Sequence, residues 1–187
     1  AGACCSGRTG GAAEPAGEVQ SARGECYAQT AAERRALAPA AAVFVGDTVG
    51  TGMQSALGLH LGRATELRLG AESHLRIDRF LVNAGGILVL DRGALLYDHD
   101  TSGGSMDLAV RTPFGLLAVR GTRFFAGPSN GVFGVFVERG AVMVVGVHTA
   151  VTVTDGQGTD LAQPGAEPTA PHPWGASRIA AAMASVS

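Results

Sequence analysis

A chain of 187 residues that is 46% apolar and 16% charged is long enough for one packed core and too apolar to be disordered through its middle. Its formal net charge of −2 lacks the basic excess that draws nucleic acid or an anionic membrane surface. All 14 basic residues are arginine, a bias that GC-rich coding explains without any binding role.

The first residues, AGACCSG, fit the small-residue stretch left where a signal peptide is cut. Residues 1–24 carry Gly, Ala and Ser with no periodicity, so alone they are expected to be disordered. Thr30-Ala-Ala-Glu33 has the spacing of a capping box, which predicts a short helix running to Ala38 and stopped by Pro39. Residues 1–41 therefore read as an N-terminal extension.

From Ala42 to Val153 the pattern changes to short alternating runs broken by Gly and Asp, the signature of an all-β domain over 42–158. Gly58-Leu-His-Leu-Gly62, Glu66-Leu-Arg-Leu-Gly70 and His74-Leu-Arg-Ile-Asp78 recur with a period of eight residues. Leu59, Leu67 and Leu75 form one apolar column, and Leu61, Leu69 and Ile77 a second, with His60, Arg68 and Arg76 on the opposite face. Further strands are expected at Asp107–Arg111, Leu116–Arg120, Val132–Glu138, Ala141–Val145 and His148–Val153. A solenoid-like stack and a β-sandwich both produce this pattern. No apolar run approaches the roughly 18 residues of a membrane span. Residues 159–187 form a Pro/Ala-rich tail, ending in a marginal helix over Ser177–Ala184 that needs a surface to lie on.

Taken in order, the strands carry Val45-Gly46-Asp47, Thr51-Gly52, Leu67-Arg-Leu-Gly70, Leu90-Asp-Arg-Gly93, Val110-Arg-Thr112-Pro113-Phe-Gly115, Val119-Arg120-Gly121-Thr122 and Val137-Glu-Arg-Gly-Ala-Val142. This set resembles the FecR-type extracytoplasmic domain of ferric-citrate regulators and of many secreted bacterial proteins, over about Ala42 to Gly158. The resemblance implies an all-β, repetitive domain outside the cytoplasm that binds partners and has no known catalytic residues. Such regulators also carry a cytoplasmic sigma-factor segment and a membrane helix; the sequence contains neither, so anti-sigma activity is not carried over. Arg120-Gly121-Thr122 reads as a structural corner, in which Gly121 ends one strand, Arg120 satisfies exposed carbonyls and Thr122 starts the next. An extracytoplasmic setting, with all three cysteines outside the β-domain, also implies one disulfide between Cys26 and either Cys4 or Cys5.

Candidate chemistry is thin. Asp98-His-Asp-Thr-Ser-Gly103 mimics the start of a calcium loop, but position twelve is Ala109 where a bidentate Glu belongs, so a polar turn is expected. His60 and His74 read as parts of a solvated face. No catalytic triad, phosphate loop or dinucleotide fingerprint appears, and neither enzyme activity, a cofactor nor a metal is expected. Trp174, the single Trp, either folds back on its own domain or anchors on a neighbouring subunit. The sequence favours a secreted structural subunit that assembles with other copies of itself through its tails and strand edges. The alternative is a periplasmic sensing adaptor that binds another cell-envelope protein or a glycan.

Overall fold

The computed structural model describes residues 14–81, 85–100, 102 and 107–187. First come β1 (Pro15–Arg23), β2 (Cys26–Gln29), β3 (Arg34–Ala36) and β4 (Ala42–Phe44). Next are β5 (Thr48–Thr51), β6 (Ala56–Leu61), β7 (Thr65–Leu69), β8 (His74–Leu81), β9 (Gly85–Arg92), β10 (Leu95–His99) and β11 (Asp107–Arg111). Two strands of 14 residues follow, β12 (Leu116–Ser129) and β13 (Val132–Val145). The chain closes with β14 (Ala150–Thr154), β15 (Gln157–Leu161), β16 (His172–Pro173) and one helix, α1 (Ala176–Ser185).

One hydrogen-bonded path runs β3-β2-β5-β8-β9-β11-β12-β10-β7-β6-β1-β4. It folds back on itself at β12. Residues 116–120 of that strand pair with β11, whereas residues 123–126 pair with β10. β13 follows β12 across the bend, taking β14 beside its second half and β15 beside its first. The protein is thus a curled half-barrel sheet whose two layers face each other. The first layer holds β2, β5, β8, β9 and β11; the second holds β1, β6, β7 and β10. Between them lies one apolar cluster that includes Leu59, Leu67, Leu75, Leu90, Val110 and Phe124.

The eight-residue columns are inward-facing, as expected: Leu59, Leu67, Leu69, Leu75 and Ile77 are all buried. They do not form one ladder, however. Leu59 sits opposite Leu67 across β6 and β7, but Leu75 comes from β8, which pairs with β5 and β9 in the other layer. The same repeat supplies both walls of the core.

Two expectations are corrected. Residues 15–23 are a strand, paired with β4 and β6. Its apolar signal is faint because the residues packed closely there are small: a Cβ on Gly17 would overlap the backbone of His60. The helix over 30–38 is absent. The Thr30 hydroxyl accepts the Ala32 and Glu33 amides at 3.3 and 3.2 Å, so the capping-box chemistry closes a β2–β3 turn instead. β3 then pairs with β2 and carries Arg35 to Asp47, which a helix would not do. The sheet also takes in strands on either side of residues 42–158, with β1–β3 joining it on one side and β15 spanning residues 157–161 on the other.

The C-terminal helix forms where expected and finds its surface. Ile179, Ala182, Met183 and Val186 pack on the outer face of the second layer against Ala94, Leu96, Phe125 and Phe136.

Candidate functional site

The residues singled out in the sequence fall on three turns. At Gly46-Asp47 the chain reverses between β4 and β5, with Gly46 at φ 95°. Asp47 is buried and accepts the Phe44 amide at 2.9 Å and two bonds from Arg35, at 3.2 and 2.5 Å. That bidentate pair holds Arg35 protonated, its pKa raised by the carboxylate, and ties the N-terminal strands to the body. At Thr112-Pro113-Phe114-Gly115 the Thr112 hydroxyl accepts the Phe114 and Gly115 amides and donates to the Gly115 carbonyl at 2.8 Å. This presents Phe114 flat against Phe133, with ring centroids 4.7 Å apart. Pro113 and Phe114 line an apolar cleft of about 560 Å³, with Leu90 and Pro128 opposite and Asp91 and Arg92 at its rim.

The third turn is the bend at Arg120-Gly121-Thr122, and here the roles differ from those expected. Gly121 has φ 54°, a conformation that glycine adopts without strain, and it lets the strand kink rather than end. Thr122, not Arg120, satisfies the exposed carbonyls: its buried hydroxyl lies 2.7 Å from Arg120 O and 3.0 Å from Ala141 O. Arg120 points outward, 73% exposed, and meets Asp107 at 3.4 Å. Gly140, at φ 97°, bends β13 in step, because a Cβ there would crowd Thr122.

Beyond the bend, Arg123 and Arg139 both grip Asp98, at 2.8 and 3.0 Å, and Arg123 also binds Glu138 at 2.6 Å. The first position of the calcium-loop mimic is therefore committed to arginines. Thr101 and Gly103 of that mimic lie outside the described residues. Among the described residues no group of three His, Cys, Asp or Glu could hold a metal ion. His60 faces out from β6 opposite Glu66, while His74 belongs to β8 in the other layer, so the two histidines do not converge. The His74 Nε2 accepts the Tyr27 hydroxyl at 2.6 Å and Arg92 at 3.2 Å, and burial together with Arg92 lowers its pKa. Inside the core the Thr65 hydroxyl meets His99 Nδ1 at 2.9 Å, and burial pushes the neighbouring Tyr97 phenol up to about 12. No sequence pattern flagged this buried polar pair.

Cys26 is a free, buried thiol, bonded to the carbonyls of Ala56 at 3.3 Å and Arg23 at 3.5 Å. Cys26 points into the core beside β6, and the expected bridge to Cys4 or Cys5 finds no support there. Cys4 and Cys5 lie outside the described residues.

Trp174 takes the fold-back position. It is 6% exposed, stacks on Phe136 at 5.2 Å and lies under the Arg178 guanidinium at 3.7 Å, which in turn binds Asp160. As an anchor on a neighbouring subunit it is already occupied, because the bare apolar surface nearest to it was its own.

The FecR protein family matches residues 47–143, just over half the chain. This protein belongs to the FecR family. The match runs from the Asp47 turn through the bend at Gly121 to Met143 in β13, so it spans both layers. Two crystal structures of a "putative anti-sigma factor" from Parabacteroides distasonis have the same fold, with TM-scores of 0.60 and 0.59 at 15% identity. The alignments cover 72% of this FecR chain and 63% and 62% of those chains, so it spans less than two thirds of their length. No curated protein matches the sequence.

Proposed function

We propose that this FecR-family chain is an extracytoplasmic signal-transduction adaptor of bacterial type: a β-body that binds another cell-envelope protein and performs no covalent chemistry. The observation that carries this reading is the family match over 47–143, which takes in strands of both layers of the bent sheet. The likeness of that sheet to putative anti-sigma factors supports the same direction. No helix among the described residues is long and apolar enough to cross a membrane.

The self-assembling reading loses the support it drew from the tails. The C-terminal tail is spent within the chain, with Trp174 and α1 covering the second layer, and residues 15–23 complete the sheet. Among the described residues none of the large apolar side chains left exposed is aromatic, which gives a glycan less to stack on; Phe114, at the Pro113 cleft, is half-buried.

The test is transcriptional. Deleting the chain from the cell that produces it should change the transcripts of one co-regulated promoter set. An unchanged transcript profile, under conditions in which the chain is expressed, overturns the adaptor reading.

A further inference from the structure

We propose that the outer face of the first layer is a docking surface, and that what docks there is an acidic amphipathic helix of the partner protein. This rests on the adaptor reading above and adds the surface and the partner's chemistry.

Across β9, β11, β12 and β13 the outward row Ile87, Ala109, Ala118, Met143 lies in direct register. The next row brings Val89, Leu116 and Val145 together with Arg111. Leu116 and Met143 are 36% and 46% exposed, and Val147, in the turn after β13, is 63% exposed. Those three are most of the large apolar side chains left in water among the described residues, and scattered single exposures would need no such explanation. The small Ala109 and Ala118 floor a groove of about 470 Å³, walled by Met143 and Arg120.

Arginines outnumber carboxylates around this strip by a narrow margin: Arg76, Arg79, Arg111 and Arg120 face outward from it, against Asp78, Asp91 and Asp107, on a chain whose net charge is −2. Two of the aspartates make only long, exposed pairs, Asp78 with Arg76 at 3.5 Å and Asp107 with Arg120 at 3.4 Å. Among the described residues Arg79 and Arg111 have no ion pair. An apolar strip between unpaired arginines complements an apolar ridge flanked by carboxylates.

The secondary structure of the occupant follows from the sheet. These rows lie mid-sheet, where backbone groups are already paired, and the nearest free edge is that of β14, one strand beyond Met143; on the rows themselves a side-chain ridge fits rather than an added strand. The chain itself shows the solution, since the opposite outer face, Leu96, Phe125 and Phe136, is covered by a helix of ten residues. That helix carries no acidic residue, so a copy of it donated by a neighbour does not match the arginines.

The experiment titrates the isotope-labelled full chain with a synthetic helix of about 16 residues bearing a Leu face flanked by Glu, and with the same helix bearing Lys. Vesicles of phosphatidylglycerol and a dextran sulfate serve as anionic comparisons. The expected result is amide shifts confined to residues 87–89, 109–111, 116–120 and 141–145, with binding at least about tenfold weaker for the Lys helix. Arg111→Glu and Met143→Glu should each weaken the Glu helix as much while leaving the melting temperature within a few degrees. Should Met143→Glu fail to fold, the exposed Arg111→Glu alone decides. Equal binding of the Lys helix, shifts elsewhere, or binding of vesicles or dextran sulfate but not the peptide overturns the proposal. In the cell, a transcript change on deletion that Arg111→Glu and Met143→Glu do not reproduce leaves the adaptor reading standing and removes this surface.

Discussion

The bend that joins the two layers depends on a hydroxyl. Kinking β12 at Gly121 leaves the carbonyls of Arg120 and Ala141 facing one atom, Thr122 Oγ1, which is buried with them. Thr122→Val keeps the shape and removes the hydroxyl, so it should cost about 1–3 kcal/mol by leaving a buried carbonyl unsatisfied. Arg120→Ala, which removes only an exposed ion pair, should cost under about 1 kcal/mol. Urea unfolding of the two variants checks this, and the reverse order would return the corner to the arginine. Alternation along the strand already contained that answer: Leu117 and Val119 face the core, so Arg120 must face water. A donor count favoured the arginine; strand parity decides against it. His74 gives a second residue-scale expectation. Its Nε2 accepts from Tyr27 and Arg92, and burial and Arg92 lower its pKa below 6.5 against a smaller opposing pull from Asp91, with Arg34 adding to the lowering. Below pH 6.5 the unfolded chain binds this proton more readily than the folded one. Stability is therefore full above about pH 6.5 and falls as pH drops from there toward the lowered value. The fall in melting temperature between pH 7.5 and 5.5 should be smaller in His74→Gln than in the unaltered protein; an identical fall would show that His74 is not the group responsible.

At the scale of elements, what was legible depended on how much apolar contrast a segment carries. β7 alternates Leu67 and Leu69 inward with Glu66 and Arg68 outward, and its face could be read directly. Leu67→Ala should cost about 2–5 kcal/mol through the cavity it leaves. Arg68→Ala should cost under about 1 kcal/mol. Equal shifts in thermal melting for the two would overturn the register of β7 between β6 and β10. β1 gave no such signal, since it buries only Ala16 and Val19 and lies close to β6 through Gly17. A strand of small residues supplies hydrogen bonds and proximity, neither of which leaves a periodic mark. The β2–β3 turn failed for a different reason: a Thr hydroxyl capping two amides is the same local chemistry in a helix N-terminus and in a turn, and only pairing with β2 distinguishes them. The eight-residue repeat was legible as inward and outward faces but silent on which layer each copy joins, because that is fixed by partners distant in sequence.

For the whole molecule the decisive question is what the two ends of the chain do. If they were arms for neighbouring copies, removing them would yield a smaller, better-behaved monomer. The structure assigns them the opposite task. Residues 15–23 fill the place between β4 and β6, and residues 164–187 carry Trp174 and α1 over Leu96, Phe125 and Phe136. Uncovering that face would expose a contiguous apolar patch larger than soluble monomers ordinarily tolerate. Removing β1 would leave the facing edges of β4 and β6 unpaired and open to another chain. The intact chain should therefore sediment as a monomer at high concentration. The chain lacking residues 164–187 should form concentration-dependent aggregates and bind a hydrophobic dye. The chain lacking residues 1–24 should lose cooperative unfolding, because its sheet is interrupted near β6 and not merely shortened at an edge. Sedimentation velocity on the three chains separates the readings. An intact chain that assembles, together with truncated chains that stay monomeric and folded, would restore the tails as intermolecular arms and displace the adaptor reading.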